Sequence, residues 1–223
     1  MCSKLEKWER WLETIKQQLY SIMQSREIYR GTMRAVVNNP AVPQRNVFWR
    51  HLQQWYADSL IMGVRRQAKS EKQAISLARL LEEMSANPEL LSRAHWKRLF
   101  EEHLLESRAD AFFDQLAGVG AAHVSADEIR NDLAQLKKIV ASCEKFADKR
   151  IAHHDRGTPP ASPTFDDLNN ALDEIARLVH KYYKFVTAKD IATFVPIGSE
   201  NWRRVLEVPW ATSEQPDSDE GSA

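Results

Sequence analysis

The sequence predicts an all-α protein, a helical bundle of about six to seven helices followed by a disordered C-terminal tail. Three observations lead there. Seven glycines and nine prolines serve 223 residues, too little turn chemistry for a many-stranded sheet. Apolar residues recur at steps of three and four along most of the chain, the spacing of one helix face. Short polar residues of the N-capping kind stand before several of these runs.

The first run comprises Leu5, Trp8, Trp11, Leu12, Ile15, Leu19, Ile22 and Met23. It predicts a helix from Leu5 to about Val37, ended by Asn38-Asn39-Pro40 and Pro43. Trp8 and Trp11 read as core, with a partner surface as the alternative. Val47, Phe48, Leu52, Trp55, Tyr56, Leu60 and Val64 mark a second long helix, from about Arg45 to Arg66. Arg65, Arg66 and Lys69 cluster at its end, where cations meet the negative pole of the helix dipole. A short third helix runs from Ile75 to Met84. A fourth opens on Ser92 and continues through Trp96, Leu99 and Phe100 towards Leu105. The stretch from Ser107 to Val124 reads as irregular, with Gly118-Val119-Gly120 in a loop. Without a preceding strand, that Gly-x-Gly is no phosphate-binding signature.

Ser125 and Glu128 have capping-box spacing. They open a helix whose apolar face is Ile129, Leu133, Leu136, Ile139, Val140, Cys143 and Phe146. A turn is expected at Gly157-Thr158-Pro159-Pro160. Thr164 with Asp167 starts the next helix, carried by Leu168, Leu172, Ile175, Leu178, Val179, Tyr182, Tyr183 and Val186 to about Thr187. A shorter section ends in Trp202-Arg203-Arg204-Val205-Leu206. Residues 1–211 read as one helical domain. Residues 212–223 are acidic and lack large apolar side chains, and read as disordered.

Lysine plus arginine and aspartate plus glutamate both total 31. This balance excludes a globally basic nucleic-acid binder but leaves room for a local basic face. Cys2 and Cys143 have no metal-ligand spacing and make no disulfide framework; Cys143 reads as a small buried apolar residue. The first seven residues carry charges where a secretory leader needs an apolar run. No stretch of about 18 apolar residues is present. The expectation is a cytoplasmic protein with no membrane association.

Chemistry concentrates in Asp148-Lys149-Arg150-Ile151-Ala152-His153-His154-Asp155. If the helix continues that far, four-residue spacing sets Lys149 over His153 and Arg150 over His154. Histidine transfers protons near neutral pH, and a fixed cation stabilises charge developing on a phosphoryl oxygen. RNA brings its own nucleophile, the ribose 2′-hydroxyl, so this route needs neither metal nor cofactor. The ordinary reading is a basic helix end favoured by the dipole.

The string Asp148-Lys149-Arg150-Ile151-Ala152-His153 resembles the signature region of the HEPN superfamily, in its abortive-infection U-type branch. Tyr29-Arg30-Gly31, Ile75-Ser76-Leu77-Ala78-Arg79-Leu80-Leu81 and Pro163-Thr164-Phe165-Asp166-Asp167-Leu168 fit the same branch, in the same order. The resemblance spans roughly Tyr29 to Trp210. It implies a helical bundle that forms a homodimer, with the two basic–histidine motifs meeting across the interface. It also implies a metal-independent endoribonuclease acting on RNA, in antiphage defence or as a toxin with an antitoxin protein as partner. The alternative is a non-catalytic module that binds RNA, nucleotide or protein.

On that basis His153, Arg150, Lys149 and His154 are the candidate catalytic residues, with His153 moving the proton. Arg65, Arg66, Asp148 and Asp155 are the candidate phosphate- or RNA-binding residues, and no residue is assigned to a metal. Active members of the family carry an arginine upstream of the histidine. Here Asp148, Ala147 and Phe146 occupy those positions before His153, and Lys149 stands at one before His154. Lysine keeps the charge but lacks the planar two-pronged grip on phosphate. Arg65 or Arg66 supplies a guanidinium if the end of the second helix packs nearby. A different enzyme reading takes His154-Asp155 as half of a metal-dependent phosphohydrolase site completed by His123 and Asp190.

Overall fold

The computed structural model describes residues 3–40, 45–101, 104–151, 161–195 and 200–204, with only the backbone of Arg150, Ile151 and Glu200. Seven α-helices run through these residues: α1 Lys4–Asn38, α2 Val47–Ala68, α3 Leu77–Ser85, α4 Arg93–Arg98, α5 Ala109–Ala117, α6 Ala126–Phe146 and α7 Phe165–Thr187. Among the described residues no strand forms. The one isolated bridge, Ser92 to His123, ties the start of α4 to the chain entering α6.

Local chemistry explains where the helices begin. Ser3 Oγ accepts from the Glu6 amide while the Glu6 carboxylate accepts from the Ser3 amide, 3.2 and 3.0 Å. Thr164 and Asp167 form the same reciprocal box at α7, as their spacing predicts. Asn46, Ser76 and Ser92 cap α2, α3 and α4 with side-chain oxygens. Each such cap contributes about 1 kcal/mol.

α6 lies against α2, α3 and α7, and α1 packs along α7, α2 and α3. Their inward faces merge in one core containing Trp8, Leu12, Ile15, Leu60, Leu80, Leu136, Val140, Cys143, Leu172 and Ile175. Trp8 is fully buried, and its indole N–H donates to Glu83 on α3; Trp11 is half-buried against the same core. The tryptophans of α1 are therefore packing residues. Gly63 permits the close approach of α2 to α1, since a Cβ there would stand 2.5 Å from Ile22 Cδ1.

Three expectations are corrected. The fourth helix stops at Arg98 rather than continuing towards Leu105, because the chain turns to bring a further helix onto buried Trp96. The Trp96 indole N–H donates to the Ala109 carbonyl at 2.9 Å, and Phe113 packs 6.0 Å from the Trp96 ring. That further helix, α5, falls within the stretch that reads as irregular. Ser125 stands at the N-cap of α6 but makes no side-chain cap, and Glu128 reaches instead to Lys181 on α7 at 2.5 Å. The expected tail at 212–223, the turn at 157–160 and Cys2 lie outside the described residues.

Candidate functional site

α6 ends at Phe146 and the backbone widens into a π-helical turn over Ala147–Ile151. Such turns occur mostly as single insertions and often at functional sites. Ala147 is fully buried, which fixes this turn against the bundle, whereas Lys149 points to solvent. The wider turn breaks the α-helical register on which the alignment of Lys149 with His153 and Arg150 with His154 depends. His153, His154 and Asp155 lie outside the described residues.

Asp148 is held by α2. Its Oδ1 accepts from both Nε and Nη2 of Arg65, each at 2.5 Å. Its Oδ2 lies 3.7 Å from Lys69 Nζ, and the same ammonium is 3.6 Å from Glu144 Oε1. Arg65 on α2 and Lys69, which caps its end, are four residues apart, as are Glu144 and Asp148 along α6 and its π turn. The result is a short ladder of two cations against two carboxylates, partly open to water. Beside it an open hollow of about 480 Å³ is lined by Ala68, Lys69, Ser70, Glu71, Lys137 and Glu144.

The end of α2 is itself fixed. Buried Gln67 accepts from the Leu77 amide at 3.2 Å and donates to Gln18 on α1 at 2.7 Å. Ser76 donates to the Lys69 carbonyl while accepting from the Arg79 amide. The Ile75–Leu81 stretch thus anchors the helix end that presents Arg65 and Lys69. Arg66, the neighbouring arginine, is exposed and makes no ion pair among the described residues.

A second anchor lies on the far side of the signature. Phe165, the first residue of α7, stacks on Tyr56 of α2 and Tyr29 of α1, with ring centroids 5.9 and 5.8 Å apart; the two tyrosines stack at 4.0 Å. Burial pushes both tyrosine hydroxyls up, so they stay neutral. Gly31, two residues on, leaves room for the Trp202 ring, which a Cβ would strike. The chain segment carrying His153 and His154 therefore leaves from one contact with α2 and returns to another, Arg65 with Asp148 and Tyr56 with Phe165. Nine residues of α2 separate these points, about 13 Å.

The structure thus brings Arg65 and Asp148 together, with Arg65 bound to a carboxylate. Lys69 and Glu144 complete that contact; their signal in the sequence was the four-residue offset of each from a candidate. The residues proposed to join His154 and Asp155 in a metal site have other partners. Asp190 pairs with His180 and Lys184, and the His123 Nδ1–H donates to the Val124 carbonyl. Among the described residues no group of three or more histidine, cysteine or acidic side chains is arranged to hold a metal, and no helix is long and apolar enough to cross a membrane.

A family model described as AbiU2, in the HEPN class, matches residues 5–204. No curated protein and no solved structure matches the chain.

Proposed function

This chain belongs to the AbiU2 family of the HEPN superfamily, and on that premise we propose that it is an endoribonuclease that needs no metal ion. The supporting observation is the double attachment of the signature segment to α2, through Arg65 with Asp148 and Tyr56 with Phe165. Attachment at both ends limits where a proton-transferring side chain in the segment can travel, as a positioned acid–base group requires.

In this reading the ribose 2′-oxygen attacks the adjacent phosphorus and gives up its proton to a base. The bond from phosphorus to the 5′-oxygen breaks, and that oxygen takes a proton from an acid. His153 serves as one of these proton-transfer groups, with His154 as the substitute if the motif is read one residue later. A second copy, related by twofold symmetry, brings the other motif. Lys149 and Arg150 stabilise the phosphate charge, and exposed Arg66 adds a phosphate contact. Arg65 and Asp148 act by holding the segment, and Asp155, next after the histidines in the sequence, adds a polar contact to the RNA. The setting is antiphage defence or a toxin system with an antitoxin partner.

The second reading is a binding module that holds RNA without cutting it. It is favoured by the engagement of Arg65 with Asp148, which leaves that guanidinium no free edge of Nε and Nη2 for phosphate. One assay separates the two. Purified protein is expected to degrade RNA equally with and without chelator, and His153→Ala is expected to abolish cleavage with an unchanged circular dichroism spectrum. Cleavage retained by His153→Ala, or lost on chelation, contradicts the proposed role.

A further inference from the structure

Along the solvent face of α6, Asn131, Gln135, Lys138, Ser142, Lys145 and Lys149 follow one another at alternating steps of four and three. All six are exposed; the spacing puts the five on α6 on one stripe, and Lys149 follows in the π turn at its end. The stripe contains three cations, two amides, a hydroxyl and no acid. Lys138, Lys145 and Lys149 have no hydrogen-bond or ion-pair partner among the described residues. Elsewhere on the same helix the cations are matched: Arg130 with Asp127, and Lys137 with Glu82. On α6 and its π turn the unpaired positive charge is therefore concentrated on one line that runs into the signature segment.

A basic helix end stabilised by the dipole accounts for Lys145 and Lys149, because that effect fades within the last turn. It does not reach Lys138, two turns earlier. A second copy lying along the stripe finds no charge partner there, since a twofold contact sets the same patch against itself and this patch has cations and neutral groups but no carboxylate. Lysines alternating with amides and hydroxyls are instead the groups that hold a nucleic-acid backbone, by charge and by hydrogen bonds to phosphate oxygens.

We propose that the α6 stripe of Lys138, Ser142, Lys145 and Lys149 is a track for the phosphate backbone of single-stranded RNA, leading it to the signature segment. From Lys138 to Lys149 the track is about 16 Å long, enough for several successive phosphates. It carries no aromatic side chain to stack a base, so it grips without reading sequence. Selection of the cut site then falls to the signature segment or its copy. The proposal rests on the RNA-cleaving or RNA-binding reading of the chain.

The test is the binding of fluorescein-labelled RNA oligonucleotides of increasing length to the full chain, read by anisotropy across a salt series. Lys138→Gln/Lys145→Gln is compared with wild type, and Lys138→Glu/Lys145→Glu provides the stronger perturbation. Both exposed substitutions are checked for unchanged helicity and unchanged mass by sedimentation. Wild-type affinity is expected to rise with RNA length. The double glutamine variant is expected to bind long RNA about tenfold or more weakly in low salt, with the slope of log affinity against log salt shallower by about 1.4. Its binding of the shortest oligonucleotides is expected to match wild type.

Equal affinity and equal salt slope in wild type and both variants would overturn the track while leaving the signature site intact. A change of mass in the variants would reassign the stripe to contact between copies and overturn it as well. Absence of RNA binding by wild type at any length would overturn both the track and the functional reading beneath it.

Discussion

Arg65 on α2 and Asp148 in the π turn after α6 meet at one oxygen: Nε and Nη2 of the guanidinium both lie 2.5 Å from Asp148 Oδ1. The side chains are 24% and 41% exposed, so water screens part of the attraction. Their importance lies in what they connect. α2 is set by Gln67 and Ser76, and the π turn leads directly into the basic–histidine signature.

A double-mutant cycle on Arg65→Ala and Asp148→Ala, followed by urea unfolding, is expected to give a coupling of about 0.5–1.5 kcal/mol, the range for a partly exposed charge-assisted pair. If the pair positions the signature, RNA cleavage falls much further, by about tenfold to a hundredfold. Equal, small losses in stability and activity would make the pair purely structural.

The tryptophans divide by burial. Trp8 is fully enclosed and Trp55 is 60% exposed on α2. Trp8→Ala is expected to lower stability by about 3–5 kcal/mol through the cavity it leaves. Trp55→Ala is expected to change it by no more than about 0.5 kcal/mol. Chemical unfolding of the two variants checks this, and a large loss for Trp55→Ala would contradict the packing described.

Asp132 is one of the acid-sensitive points of the bundle. Burial pushes its carboxyl up, but hydrogen bonds from Lys181 and Tyr182, with Arg177 alongside, outweigh burial and hold it below its ordinary value of 3.8. A depressed folded value means stabilisation that is present above the unfolded value and lost as pH falls through the folded one. Stability is therefore expected to drop from about pH 5 downwards. Asp132→Asn is expected to flatten that slope and to lower stability at neutral pH by about 1–3 kcal/mol. An unchanged pH profile in Asp132→Asn would remove Asp132 from this role.

A site completed by a second motif requires a dimer. Solution scattering at micromolar concentration is expected to give twice the chain mass of 25.7 kDa. A monomer with full RNA-cleaving activity would contradict the two-copy site.

Most of the fold was legible because its long helices announce themselves locally. α1, α2, α6 and α7 have sustained apolar faces, and Thr164 caps with Asp167 as their spacing predicts. Elsewhere a distant partner decided the outcome. Glu128 serves Lys181 rather than the Ser125 amide, and Trp96 collects α5 from sequence too short to show a clear period. The π turn was not legible, because Phe146-Ala147-Asp148 reads as ordinary helix. Of the site, the basic segment and its neighbours Arg65 and Arg66 were visible in the sequence. That Arg65 would be taken up by Asp148 while Arg66 stayed exposed depends on the rotation of α2 against α6, which no local pattern encodes.

The central claim is cleavage through the substrate's own 2′-hydroxyl, and the chemical ends of the products test it most directly. A short RNA with a single 2′-deoxy sugar at the mapped cut site, compared with the all-ribose strand in the presence of chelator, supplies the measurement. The expected result is 2′,3′-cyclic phosphate and 5′-hydroxyl ends from the ribose strand and no cleavage at the deoxy position. Products bearing 5′-phosphate and 3′-hydroxyl ends, or cutting at the deoxy position, would contradict it.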